Sequence, residues 1–127
     1  MGSHSDYFPG LVGIKLEEAR TDYSRMRMPF RSNLKQPAGL VHGGAIATLI
    51  DTVVVPAIGS GYDVPHRYIT IDMQIQYIGA LSAEEDVIAE GWIVKRGRSI
   101  VFCRAEVFSA SAALIATGTL TYTVRPA

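Results

Sequence analysis

The sequence predicts an α+β domain in which one curved, mainly antiparallel sheet packs on a single long, buried helix. Three observations carry this. Several segments alternate apolar and polar residues with the period of a strand. One stretch, Gly44 to Ile58, is apolar around nearly its whole circumference, as a buried helix is. No second long helix is present to make parallel crossovers, so the strands must mainly run antiparallel.

Met1-Gly2-Ser3-His4 reads as a cloning remnant, and residues 5–127 as one domain. Leu11 to Glu18 alternates through Val12, Ile14 and Leu16; Asp22 to Phe30 alternates more cleanly, with Met26, Met28 and Phe30 against Arg25 and Arg27. Both predict strands joined by a polar turn. A loop with Asn33, Gln36, Pro37 and Gly39 follows. The helix then spans about 22 Å at roughly 1.5 Å per residue. Its many β-branched residues give poor intrinsic propensity, so packing must hold it. Pro56 is expected to kink or end it, and Gly59-Ser60-Gly61 to close it. Ile69 to Ile78 gives the clearest two-residue period in the chain. Val87 to Lys95 and Ile100 to Phe108 flank a turn at Arg96-Gly97-Arg98-Ser99, and Leu114 to Val124 sets apolar residues against a threonine-rich face.

With 127 residues, of which 48% are hydrophobic, the chain is long enough for one real core. Its formal net charge is zero, which argues against nucleic acid as a partner. The single cysteine, Cys103, rules out an internal disulfide and points to a reducing, cytoplasmic setting. The longest apolar run, Val53 to Ile58, is far too short for a bilayer. A helix apolar on all sides needs cover on its outer face as well, and a second copy of the chain supplies it: the expectation is a homodimer.

The helix carries one charge, Asp51, which shares a face with Thr48 and Thr52. A carboxylate among apolar residues is costly unless paired or used, so Asp51 is a candidate general base or nucleophile. The plainer alternative is a structural aspartate that caps a loop or pairs with an arginine. Upstream stands Val41-His42-Gly43-Gly44. Glycines at a helix start let a ligand approach the backbone, and the first N–H groups lack internal partners. They are suited to a developing oxyanion. Gly43 and Asp51 lie about 12 Å apart along the axis at roughly 1.5 Å per residue, so one helix cannot bring both to a single atom. Two helices from two subunits can.

Other candidates are weaker. A metal site from His42, His66 and Asp51 matches no usual ligand spacing. Cys103 lies in a strand and reads as core. The chain lacks the Gly-x-Ser-x-Gly elbow of serine hydrolases. Lys95, Arg96 and Arg98 around Gly97 can hold phosphates, or form a solvated hairpin turn.

The stretch Gly39-Leu-Val-His-Gly-Gly-Ala-Ile-Ala-Thr-Leu-Ile-Asp51 resembles the signature of hotdog-fold thioesterases of the phenylacetate-pathway and 4-hydroxybenzoyl-CoA type. The resemblance continues through Ile69-Thr-Ile-Asp-Met73, Gly97-Arg98 and Ala116-Thr-Gly-Thr-Leu-Thr-Tyr122. It implies a curved antiparallel sheet wrapped around a long helix, and homodimers, or homotetramers built by stacking two dimers, with sites at the interface. It implies hydrolysis of an aryl- or medium-chain acyl-CoA, with CoA as part of the substrate and no separate cofactor or metal. By position, Asp51 is the catalytic carboxylate and the Gly43 amide polarises the thioester carbonyl from the other subunit. Gln36 orients the thioester or water, and Thr70 lies near the nucleophilic water. His42, Gly44, Thr48, Arg96, Gly97 and Arg98 are the implied substrate-binding residues, with His42 more a support than a catalyst. Alternatives on the same fold are a hydroxyacyl dehydratase or hydratase, which would lean on His42, and a non-catalytic acyl-CoA-binding module, which would need no buried Asp51.

Overall fold

The computed structural model describes residues 7–34, 36–81 and 84–127; the stretch Met1–His4, read as a cloning remnant, lies outside them. A one-turn helix α1 (Phe8–Leu11) leads into strands β1 (Lys15–Arg20) and β2 (Tyr23–Met28). A 3-10 turn at Ser32–Leu34 precedes the long helix α2 (Gly43–Gly59), and β3 (His66–Tyr77), β4 (Val87–Arg96), β5 (Ile100–Ser109) and β6 (Leu114–Pro126) complete the chain. The six strands form one sheet in the order β1-β2-β4-β5-β6-β3, every pairing antiparallel. This is the α+β architecture the sequence predicts. No helix among the described residues is long and apolar enough to cross a membrane.

Helix α2 starts where His42 takes an extended conformation and its ring Nδ1 accepts the Gly44 N–H at 2.9 Å, a side-chain N-cap. Ala45, Ile46, Leu49, Ile50, Val53, Val54, Ala57 and Ile58 are buried against the sheet, so packing offsets the poor propensity of the β-branched residues. The approach is close because the sheet is thinned beneath the helix. A Cβ at Gly118 would lie 2.8 Å from Ile50 Cγ2, and one at Gly91 would lie 3.1 Å from Val54 Cγ1. Ser24, fully buried in β2, donates its hydroxyl to the Val53 carbonyl and ties sheet to helix.

Pro56 does not end the helix. The chain stays helical to Gly59, and the proline only withholds an N–H from the Thr52 carbonyl. The helix closes at Gly59-Ser60-Gly61 as expected, with Ser60 at the C-cap and its hydroxyl donating to the Ala57 carbonyl at 2.6 Å, and β4 reinforces that end. Arg96 donates to the carbonyls of Ile58 (2.9 Å) and Ala57 (3.2 Å), satisfying orphan acceptors at the negative end of the helix. Asp22 at 2.8 Å neutralises the guanidinium.

Two expected strands begin differently. The predicted strand from Leu11 starts only at Lys15, because Phe8-Pro9-Gly10-Leu11 closes a helical turn with proline at its start. Strand β2 is shorter than Asp22 to Phe30 at both ends. Strand β3 alternates in burial only over its first half, and there the apolar residues are the exposed ones: Ile69 is 60% and Ile71 55% exposed, while Tyr68 and Thr70 are half-buried; farther along, Ile75 packs against the core. β3 is an edge strand, bonded to β6 alone, with a register shift between Thr70 and Asp72.

Candidate active site

Asp51 sits halfway along α2 on the side away from the fully buried row, half-buried. Among the described residues no cation pairs with it. Its partners are two hydroxyls. Thr70 Oγ1, from β3, donates to Oδ1 at 2.8 Å. The Tyr122 hydroxyl, from β6, lies 2.5 Å from the same Oδ1 and 2.6 Å from the Asp51 main-chain oxygen. Burial, followed by the hydrogen bond to Asp51, pushes the Tyr122 phenol well above its ordinary range, so it remains a donor at neutral pH. Tyr122 was not singled out by sequence. It stands on the apolar face of an alternating strand and reads as core. The available signal was physical: a buried tyrosine hydroxyl needs a partner, and the helix holds one carboxylate.

Asp51, Thr70 and Tyr122 line a cleft of about 860 Å³ whose other walls include Leu16, Met26, Val55 and Tyr68. A smaller hollow of about 340 Å³ on the other flank of Asp51 is formed with Phe8, Pro9, Ala47, Thr48 and Met73. Helix α1 thus covers part of the outer face of α2, which the sequence assigned wholly to a second copy.

The N-terminal group of residues lies elsewhere. Gln36 and Gly43 line a third hollow of about 350 Å³ with Tyr77 and Leu81, and Asp51 is not in it. Within one chain the structure therefore unites Asp51 with Thr70, and Gln36 with Gly43, but not the two pairs with each other. The Gln36 side-chain oxygen accepts the Ala38 N–H within its own loop. Tyr77 donates to the Gly43 carbonyl at 2.8 Å. The two glycine amides differ: Gly44 gives its N–H to His42, whereas no acceptor among the described residues takes that of Gly43. His42 is exposed, with Nδ1 occupied by the cap.

Thr48 donates back to the Gly44 carbonyl at 2.8 Å, and Thr52 to that of Thr48 at 2.6 Å, so both hydroxyls are satisfied within the helix. Arg96 is committed to the end of α2, at the opposite end from Gly43. Gly97 donates to the Ile100 carbonyl at 2.8 Å in the tight turn, and Arg98 is exposed beside it.

A family model described as the thioesterase superfamily matches residues 38–116, more than half of the chain. An esterase candidate of Halobacterium salinarum is 33% identical over 94 residues, covering 70% of this chain and 61% of that protein. The chain thus spans about three fifths of the length of the curated relatives it matches. Among solved structures, the conserved protein PA5202 of Pseudomonas aeruginosa superposes with a TM-score of 0.85 at 28% identity over 93% of both chains. The thioesterase HI1161 of Haemophilus influenzae superposes with a TM-score of 0.89 over 97% of this chain and 85% of that one; at 20% identity this shows the shared fold.

Proposed function

The chain belongs to the thioesterase superfamily, and from that premise we propose that it hydrolyses an acyl-CoA to the free acid and CoA, with Asp51 as general base. The observation that carries this is Asp51 itself: a carboxylate on a buried helix, with no cation paired to it among the described residues, held by two hydroxyls at the wall of a largely apolar cleft. Such a group is placed to take a proton from water as it attacks a thioester carbonyl. A cleft of about 860 Å³ lined by Leu16, Met26, Val55 and Tyr68 suits an aryl or medium-chain acyl group.

The oxyanion donor in this reading is the Gly43 amide of a second copy, with Gln36 beside it. Support comes from the separation of Gly43 from Asp51 along one rigid helix, and from the hollow that Gln36 and Gly43 share without Asp51. A homodimer is further supported by β3, an edge strand with an exposed apolar row. At the β4–β5 turn the exposed Arg98, rather than the committed Arg96, is offered to CoA phosphates. A single free, buried thiol fits the cytoplasm.

The test is release of CoA from a panel of aryl and medium-chain acyl-CoAs by wild type and Asp51→Asn. Turnover by wild type and its loss, by about a thousandfold or more, in the variant is expected. Absence of wild-type turnover on every thioester, or full activity in the variant, defeats the proposal.

A further inference from the structure

We propose that Tyr122 is a positioning residue for this reaction, holding Asp51 by one carboxylate oxygen so that the other alone acts on water. The inference rests on the reading of Asp51 as general base. An aspartate on a helix has a broad terminal torsion, and either oxygen can present itself. Here the choice is made. The Tyr122 hydroxyl touches Oδ1 at 2.5 Å and the main-chain oxygen of the same residue at 2.6 Å, so it fixes the side chain relative to its own backbone. Thr70 adds a second donor to the same Oδ1 at 2.8 Å. Among the described residues no donor reaches Oδ2, so its lone pairs are free to take a proton.

The two donors are not equivalent. Thr70 lies on edge strand β3, beside the register shift. Tyr122 is 3% exposed on β6, which is bonded to neighbours on both sides. It pairs with Val101 of β5 and Thr70 of β3. A rigid ring on an internal strand is the firmer anchor, and a precise site needs such second-layer support. The phenol has one hydrogen for two acceptors, and burial with Asp51 keeps that hydrogen on it.

Steady-state kinetics on wild type, Asp51→Asn and Tyr122→Phe test this. For Tyr122→Phe we expect kcat to fall roughly tenfold, the scale of one hydrogen bond to a charged group, with KM within about twofold. The far-UV spectrum should be unchanged. A 4-aminophenylalanine at position 122, which restores a donor, should recover kcat to within about threefold of wild type. Wild-type kcat in Tyr122→Phe, or a loss confined to KM, overturns the proposal. Should the phenylalanine variant not fold, a folded 4-aminophenylalanine enzyme as slow as Asp51→Asn overturns it equally. Full activity in Asp51→Asn instead removes the underlying reading, whatever Tyr122 does.

Discussion

Gly118→Ala tests whether the close contact of helix and sheet is what places Asp51. Gly118 lies inside β6, opposite Ala105 and Ile75. An added Cβ would stand 2.8 Å from Ile50 Cγ2. Ordinary carbon contacts are about 3.5–4.0 Å, so roughly 0.7–1.2 Å of room is missing. Ile50 is fully buried, and a β-branched side chain in a helix has essentially one χ1, so Cγ2 cannot swing aside. Relief requires α2 to lift. Overpacking of this kind costs about 1–3 kcal/mol, while replacing a strand glycine returns about 0.5–1 kcal/mol of unfolded-state entropy. The clash wins, by about 1–2 kcal/mol. For a chain of 127 residues, that lowers the melting temperature by about 4–8 °C. Thermal unfolding followed by far-UV circular dichroism measures it. Thioester turnover should fall as well, since Ile50 precedes Asp51. Ile50→Ala removes the obstructing methyl, so the double variant should be more stable than the summed costs by at least about 1 kcal/mol. A Gly118→Ala protein as stable as wild type, or strict additivity with Ile50→Ala, would refute the reasoning.

Cys103 is buried, and desolvation pushes its thiol up to about 12. Ellman's reagent should leave the native protein unlabelled and find one thiol after denaturation; rapid native labelling would contradict the burial. Asp86 accepts the Phe30 N–H at 2.7 Å and Arg27 at 3.0 Å, and the first of these leads in holding its carboxyl below the usual value. A depressed folded-state pKa stabilises above the ordinary carboxylate range and is lost as pH falls through the lower folded value. Asp86→Asn should therefore cost about 1 kcal/mol at neutral pH, a modest figure because the side chain is 35% exposed, and the gap from wild type should close below about pH 4. Urea melts at both pH values would expose a gap that fails to close.

The helix and the four later strands were legible because one period dominates each segment: apolar on all sides for α2, alternate for β3 to β6. The start of the chain was not. Val12, Ile14 and Leu16 alternate like a strand, yet Pro9-Gly10 bends the backbone into a turn first. Within the candidate site, Asp51 stood out as the one charge on an apolar helix. Tyr122 did not, because a tyrosine on an apolar face is indistinguishable from core until its hydroxyl's partner is known. Arg96 looked like a phosphate ligand because its neighbours are basic. In the fold it donates to the carbonyls of Ala57 and Ile58, which lie nearly forty positions earlier and carry no side-chain signature. Which of Gly43 and Gly44 keeps a free amide depends on the His42 rotamer, which spacing does not encode.

Helix α2 is also a ruler. Gly43 and Asp51 are marks on one rod, and each residue between them contributes a fixed advance of about 1.5 Å and a turn of about 100°. A substitution in that interval alters what the rod touches. An inserted or deleted residue would instead rotate the carboxylate away from Tyr122 and Thr70 while leaving the free amide where it was. The interval is therefore open to changes of chemistry and closed to changes of length.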